Sequence, residues 1–480
     1  MCRFLGSKVT PDGKYNRAEP INFCYRLYNA FVLETHYPKK SNFIRRLENN
    51  QYRVSLFSSL QVAWLCIYFL CFISIWCLNF YLHRNFLEQW SFKATDVPWM
   101  PPGSTAVGLY FNHYFGDFQL GTVFSQIKNP YLPGLALPWS QPPTSIIFFW
   151  PFTLLSLPHS LLVFLLSSVL IFLFSIWKLS ENLPSSQRFF VIQCVLLSLP
   201  LFISLDRGNF VLMTQGIVAL MIFELLSSTF KNSKAVSWRF YIYLIFALSM
   251  KAYIAAILIP LLIIGYRKAI IRGILIFLGL NFILSFQYPG GPARVVYEIL
   301  RGIFGPAVNG SDSLSTGVSI SYFAYEIFKL LDSYFNTNIL LNFLHNFGVF
   351  IGIFWFFMVC LLCVSRKLPE NLKMVFILSL LQFVSPVSMA YTLTWSAIAL
   401  IFLLKLNLLQ QSSNQPSDQN VIRVPNILLF LTMLGCIFNL APWPNQYWRL
   451  ISPGFWLVLS IIWCIYSIMS HTREDSKNAD

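Results

Sequence analysis

Long stretches of this 480-residue chain contain no charged side chain at all. Three of them are residues 54–83, 144–177 and 374–404, and each is longer than the roughly 18 residues that a membrane-spanning helix needs. Charged residues make up 11% of the chain, against roughly 25% in typical soluble proteins. The sequence therefore predicts an all-α polytopic membrane protein. It excludes a cytosolic enzyme, a secreted disulfide scaffold and a disordered tail protein.

The basic residues indicate how the chain is oriented. Residues 1–55 form a polar arm with ten basic and four acidic side chains, unlike a cleaved signal peptide. We expect this arm in the cytosol, followed by a multi-span domain over 56–470 and a cytosolic tail at 471–480. If the spans alternate sides, the cytosolic segments together carry the whole net charge of +15 and the outer segments carry none. The excess of basic residues then reflects membrane orientation, and no nucleic-acid partner is predicted.

One apolar stretch, residues 240–265, has basic residues on both flanks. A single crossing would place Arg267, Lys268 and Arg272 outside. Two short helices broken near Lys251 would keep both flanks in the cytosol, although about 12 residues per arm fall short of a hydrocarbon core of about 30 Å. We favour this hairpin, which gives about 12 membrane segments and cytosolic termini. Broken helices are tolerated where they line an enclosed cavity, so the break also indicates a candidate site.

Two predicted outer segments, 84–143 and 289–337, are far longer than ordinary connections, and long loops are usually functional. The first leads into an aromatic stretch, 145–157, which we predict as an interfacial helix. Short motifs follow one another along the chain in a definite order. They are Asp117, Asn129-Pro-Tyr131, Gln141-Pro-Pro143, Gly208-Asn209, Lys251, the basic turn Tyr266-Arg-Lys268, and Ser385-Pro386.

This order of motifs resembles the GT-C superfamily of polyprenyl-phosphate-sugar glycosyltransferases. It is most similar to glycosyltransferase family 87, which includes polyprenyl-phosphate-mannose mannosyltransferases. The resemblance covers roughly residues 55–400. The chain departs from the family pattern where Asp206-Arg-Gly-Asn209 stands in place of Gly-Gln-x-Asn, and where no Trp-His follows Ser385-Pro386.

The resemblance implies a GT-C-type helical bundle in which 84–143 and 289–337 are extracytoplasmic catalytic loops. It implies transfer of a hexose, most often mannose, from a polyprenyl-phosphate donor in the bilayer. The acceptor would be a glycolipid, glycan or polysaccharide on the extracytoplasmic face. The expected location is the bacterial inner or plasma membrane, or the endoplasmic reticulum membrane in a eukaryote.

The resemblance assigns the catalytic base to an aspartate early in the first outer loop, and we prefer Asp117 to the other two acids of that loop, Glu88 and Asp96. In an inverting transfer a carboxylate takes the proton of the acceptor hydroxyl while that oxygen attacks the anomeric carbon. Asp117 lies between aromatic runs of the first outer loop and precedes Asn129-Pro-Tyr131 at a family-like spacing. A solvated loop carboxylate, or a turn cap after Gly116, is the alternative interpretation.

Lys251 is the only lysine or arginine within a predicted span, where a charge is costly and commonly functional. The leaving group of such a donor is a lipid phosphate, which needs a cation as its charge develops. Lys251 is therefore the main candidate for binding the donor phosphate, and Arg207, Asn209 and Arg449 are further candidates. A lysine that snorkels to the interface, or that pairs with Glu224, is the alternative.

Other side chains are candidates for contacts with the sugar or the acceptor, because aromatic rings stack on sugars and histidine can carry protons. Outer tyrosines and tryptophans also fit an aromatic belt at the membrane surface. The candidates are Asn129, Tyr131, Trp139, His113, His345 and Tyr391. No spacing of His, Asp and Glu suggests a metal site, so no cofactor is predicted and a divalent metal is not favoured.

Two other classes stay open. A polysaccharide polymerase or ligase of the O-antigen type also has large outer loops and would use loop arginines, for which the second loop offers Arg294 and Arg301. A transporter or flippase for a lipid-linked substrate predicts inverted repeats and paired charges at mid-membrane. We find no such repeat, and neither a Walker A loop nor a plausible Rossmann fingerprint, which favours a lipid-carried donor over a nucleotide sugar.

Overall fold

The structure is a computed structural model, and the residues that it describes all belong to the compact unit Leu56–Asp480. The described residues are 60–64, 66–67, 118, 122, 125–126, 128–131, 141–206, 208–227, 236–309, 323, 327, 340–365, 368–383, 390–412, 424–440 and 445–477. Their regular structure is helical throughout, with no strand in these ranges. This confirms the all-α prediction for the described part.

The helices with described bounds are numbered in chain order. They are α1 (Pro143–Phe149), α2 (Leu157–Leu179), α3 (Ser185–Leu196), α4 (Leu199–Asp206), α5 (Val211–Ser227), α6 (Trp238–Met250), α7 (Leu258–Ile263), α8 (Arg267–Ser285), α9 (Gly291–Asn309), α10 (Leu340–Val364), α11 (Glu370–Phe383), α12 (Trp395–Ser412), α13 (Asn426–Leu440) and α14 (Asn445–Lys477). Three 3₁₀ segments, Trp150–Leu154, Ala252–Ile257 and Ala390–Thr394, lie between them.

Four described helices are long and apolar enough to cross a membrane: His159–Leu179, Arg267–Ser285, Thr392–Gln410 and Ile451–Ser470. Their surroundings differ. The outward surfaces of α2 and α8 are formed by large apolar side chains such as Leu170 and Ile283, which is the surface that lipid requires. In contrast, α12 is almost wholly buried and packs against α11 and α13. The core of the bundle therefore lies around α12.

Polar side chains connect the core helices at one end of the bundle. The Asn439 amide donates to Gln382 Oε1 (3.0 Å) and Ser396 Oγ (2.9 Å), and its oxygen accepts from Ser452 Oγ. Nearby, Thr394 Oγ1 donates to Gln215 Oε1 at 2.5 Å. Because a buried polar group without a partner costs about 1–3 kcal/mol, these bonds fix how the helices are aligned.

The apolar stretch 240–265 is broken, as the sequence predicted. Helix α6 ends at Met250, Lys251 is extended (φ −147°, ψ 109°), and the chain continues as a 3₁₀ segment and then α7. The backbone N–H of Lys251 still donates to Ala247 O, at 3.0 Å. The break therefore falls at the only charged residue of the stretch.

Contacts between α6 and α8 show that these helices run in the same direction. Gly273, near the start of α8, lies against Leu244 of α6. Farther along both helices, Thr144 hydrogen-bonds to Ser249 and to Asn281. The intervening chain must therefore return to the level where α6 began. This is the geometry of the predicted hairpin.

The two arms of the hairpin are matched in length. Thirteen residues of α helix rise about 20 Å. Six residues of 3₁₀ helix and six of α helix rise about 21 Å, because 3₁₀ helix advances about 2.0 Å per residue. Each arm is shorter than a hydrocarbon core of about 30 Å. The 3₁₀ segment was not predicted from the sequence.

The region after α8 differs from the sequence prediction. Residues 289–337 were predicted as a loop, but 291–309 form α9. Gly290 (φ +90°) and Gly291 (φ +60°) make the turn that a residue with a side chain would strain, and Pro292 occupies the first helical turn, where its missing N–H costs nothing. The stretch 145–157, predicted as one interfacial helix, is helical only in part: α1 begins at Pro143 and ends at Phe149, a 3₁₀ segment follows it, and residues 155–156 are not helical.

Candidate functional site

A buried cluster of mostly aromatic side chains brings together segments that are far apart in the sequence. Its members are Phe118, Tyr131, Phe149, Phe164, Phe210, Met213, Ile217, Met250, Tyr288 and Val295. Phe118 follows Asp117, Tyr131 ends Asn129-Pro-Tyr131, Phe210 follows Gly208-Asn209, and Met250 precedes Lys251. Four of the sequence motifs therefore meet around one cluster, which we call the aromatic cluster.

Lys251 lies at the edge of the aromatic cluster. Its Nζ is 4.1 Å from the centroid of the Phe210 ring, within the range of a cation–π contact. Glu224, the acid considered as its partner, is at the opposite end of α5, 3.9 Å from Arg239. The proposed Lys251–Glu224 pair is therefore wrong: α5 and α6 run antiparallel, so Phe210 lies next to Lys251 and Glu224 next to Arg239.

The carbonyl groups at the end of α6 are capped by Gln141. With its amide nitrogen turned toward them, Gln141 donates to Met250 O (2.8 Å) and Ser249 O (3.1 Å). A helix that ends inside a protein leaves carbonyls that need such donors. The side chain of Gln141 thus stabilises the helix break that presents Lys251.

The Asn129-Pro-Tyr131 motif is a buried turn. Asn129 Oδ1 accepts from the Tyr131 N–H (3.1 Å), and the Tyr131 hydroxyl donates to Gln141 O (2.9 Å). The Tyr131 ring packs edge-on against Tyr288, with ring centroids 5.0 Å apart. Burial, and then the neighbouring Tyr288, raise the pKa of Tyr131 above its ordinary value. The motif therefore positions Gln141, which in turn caps the break.

The Gly208-Asn209 motif is also a turn. Gly208 adopts φ +60°, and the buried Asn209 Oδ1 accepts from the Val211 N–H at 2.8 Å. Asn209 lies two residues before Val211, the first residue of α5, so this side-chain bond satisfies one of the amide groups that the start of a helix leaves unpaired. The side-chain oxygen of Asn209 thus starts α5 and places Phe210 under Lys251.

Helix α1 is held to the break by a small hydrogen-bonded group. The Thr144 and Ser249 hydroxyls are 2.5 Å apart, and Asn281 Oδ1 accepts from both the Thr144 N–H and its hydroxyl at 3.0 Å. Sequence reasoning missed Thr144, Asn281 and Tyr288. Asn281 offered a signal, because it is the one amide in the apolar part of α8, residues 273–284.

An open cleft of about 370 Å³ adjoins the aromatic cluster. Polar and apolar side chains both line it, and Tyr288 belongs to both the cleft and the cluster. Burial raises the pKa of the Tyr288 hydroxyl, a group that is protonated at neutral pH even without this shift. The lining residues are Ser125, Lys128, Ile146, Ile147, Trp150, Leu284, Gln287 and Tyr288.

Several predicted site residues cannot be placed around the cluster. Asp117, His113, Trp139 and Arg207 lie outside the described residues. The structure describes only the helical backbone of three others, which are His345 in α10, Tyr391 in the 3₁₀ segment before α12, and Arg449 in α14. Among the described residues, no group of three or more His, Cys, Asp or Glu side chains is arranged to hold a metal ion.

Comparison with known proteins gives no relative: no family model matches the chain, and neither a curated protein nor a solved structure does.

Proposed function

We propose that this chain is an integral membrane glycosyltransferase of GT-C type. It would take a hexose, mannose in the first instance, from a polyprenyl-phosphate donor and pass it to a glycolipid, glycan or polysaccharide on the extracytoplasmic face. About 12 membrane segments, with both termini in the cytosol, would place the aromatic cluster at the outer side of the bilayer.

The observation that carries this proposal is the convergence of four motifs on one cluster. Phe118, Tyr131, Phe210 and Met250 pack in it, and each is within a motif or directly beside one. The order of the motifs suggested a GT-C enzyme, but order alone does not bring residues together. A site that transfers a sugar from a lipid phosphate requires distant segments to meet near a positive charge. In this chain they meet next to Lys251, at a helix break.

In the proposed reaction Asp117 takes the proton of the acceptor hydroxyl as that oxygen attacks the anomeric carbon. The bond between the anomeric carbon and the phosphate oxygen breaks, and the lipid phosphate leaves with the bonding electrons. The Lys251 ammonium stabilises this charge, and Arg207 assists it. Inversion at the anomeric carbon follows from a single displacement. No metal or cofactor takes part in this scheme.

The test is transfer of radiolabelled mannose, glucose or arabinose from polyprenyl-phosphate donors in membranes that contain the wild type or Asp117→Asn. We expect the substitution to lower the rate by about 10²–10⁴-fold, the contribution of a general base. Glu181→Gln is the matched control, because Glu181 is an exposed carboxylate on a turn that pairs with Lys178. Equal transfer by wild type and Asp117→Asn would remove Asp117 from the mechanism. No transfer by the wild type with any of these donors would contradict the proposed class.

A further inference from the structure

Helix α9 buries its one acidic side chain, and two partly exposed arginines border it. Arg294, Glu298 and Arg301 recur at helical spacing, and both arginines pair with the Glu298 carboxylate, Arg301 Nη1 at 3.2 Å. Glu298 has no exposed surface, whereas the two arginine side chains are about one-third exposed. Val295, one turn before Ile299 on the inner side, packs in the aromatic cluster.

The outward side of α9 is apolar. Val296 is 54% exposed, Tyr297 57% and Leu300 47%, and Ala293 is exposed on the same stripe. On the surface of a water-soluble protein the expected arrangement is the reverse, with apolar residues inward and charges outward. The orientation of α9 is therefore inverted with respect to a helix that faces water.

The apolar stripe of α9 continues the apolar surface of α8. Phe282, Ile283 and Phe286 are 55%, 67% and 64% exposed, and they lie in the last turn of α8 and directly after it. Helix α8 is long and apolar enough to cross a membrane. The apolar surface therefore runs from such a helix onto the next one. Its border on α9 is formed by Arg294, which is partly exposed and whose guanidinium lies 5.3 Å from the centroid of the Tyr297 ring. An apolar surface edged by an arginine fits the boundary between acyl chains and headgroups.

We propose that α9 is a membrane-interface helix. Its stripe Ala293, Val296, Tyr297 and Leu300 lies among the acyl chains of the leaflet into which α8 emerges. A helix of this kind binds the bilayer in proportion to the apolar area that it buries. Arg294, Glu298 and Arg301 face the protein and the headgroup boundary, where partly exposed arginines reach phosphate and water. This inference does not depend on the proposed enzymatic activity.

Such a helix links the bilayer surface to the aromatic cluster. Val295 packs in the cluster with Tyr288, which belongs to the corner between α8 and α9. The depth of α9 in the bilayer therefore sets the position of Tyr288, and with it one wall of the adjoining cleft.

Site-specific photocrosslinking tests this proposal. A photoreactive phenylalanine derivative replaces Tyr297 in the full chain, which is reconstituted in phosphatidylcholine vesicles and irradiated. Mass spectrometry then identifies what is attached to the peptide. The same probe at Leu300 gives a second, independent position. The control carries the probe at Asn182, which lies in an exposed polar turn between α2 and α3.

We expect phosphatidylcholine adducts at positions 297 and 300 and none at 182. Adducts to a second copy of the chain would show that the stripe is a subunit interface, and adducts to another segment of the same chain would show that it is covered internally. Either result, or the absence of lipid adducts at both positions in protein that remains monodisperse, would overturn the proposal. If one of the two variants fails to fold, the other decides.

Discussion

Gly216 lies where α5 approaches α2 most closely. A Cβ atom at this position would come within 2.9 Å of the backbone Cα and N of Phe172. Backbone atoms of a packed helix cannot move aside as the end of a flexible side chain can. A glycine is therefore required here for close packing of the two helices, and the adjacent Gln215 can then reach Thr394 of the core.

We predict that Gly216→Ala destabilises the protein by roughly 1–3 kcal/mol, the usual cost of overpacking, although alanine is the better helix former. The matched control is Gly279→Ala in α8, because no atom lies within 4 Å of the Cβ that it adds. The stability of both variants is measured as the temperature at which the detergent-solubilised protein loses monodispersity. If Gly216→Ala is as stable as Gly279→Ala, α2 and α5 do not pack as described.

The individual motif residues show what sequence reasoning could not resolve. Asn129 and Asn209 were predicted as ligand contacts, and in both the side-chain oxygen accepts a backbone N–H within a turn. An asparagine beside proline or glycine fits either role, because the same amide binds a ligand or caps a turn. The choice depends on partners such as Gln141 and Tyr288, which the spacing of the motifs does not reveal.

At the scale of elements, the broken hairpin was the most predictable feature. Basic flanks on both sides of 240–265, together with an isolated lysine within it, favoured two short arms over a single crossing without deciding between them. Helix α9 was missed because its Gly-Gly-Pro start and the length of the segment suggested a loop. Arg294, Glu298 and Arg301 are spaced as on one side of a helix, but the glycines and proline at the start of the segment favoured a loop.

The hairpin makes a specific prediction about sidedness. Trp238→Cys and Lys268→Cys lie in the two basic flanks, and both native side chains are exposed. Since α6 and α8 run in the same direction, both cysteines should react with a membrane-impermeant maleimide from the cytosolic side, in inside-out vesicles. Labelling of the wild type, which has ten cysteines, gives the background. Reaction of the two cysteines from opposite sides would mean that 240–265 crosses the membrane once.

At the scale of the whole molecule, two regions have different roles. The bundle around α12 is apolar and fixed by buried amides and hydroxyls, so it supplies a rigid frame. The aromatic cluster adjoins it, because Tyr243 packs against both. It lies at the meeting point of the segment 118–131, α1, the start of α5, the end of α6 and the corner after α8. Chain order suggested that the motifs form one site, and the described residues bring only some of them to this cluster. Chain order could not predict that aromatic packing and the Gln141 cap would hold them.

The proposed role of Lys251 is tested most directly by the kcat/KM of hexose transfer for Lys251→Met, Lys251→Arg and a control, Lys268→Met, each at a matched membrane protein level. We predict that Lys251→Met lowers kcat/KM by about 10²–10³-fold, the loss expected when one stabilising group is removed from a developing negative charge. Lys251→Arg should retain more activity, because it keeps the positive charge, and Lys268→Met should resemble the wild type, because Lys268 is an exposed residue in the turn at the start of α8. Wild-type kcat/KM in a folded Lys251→Met variant would contradict the assignment of Lys251 to the leaving phosphate.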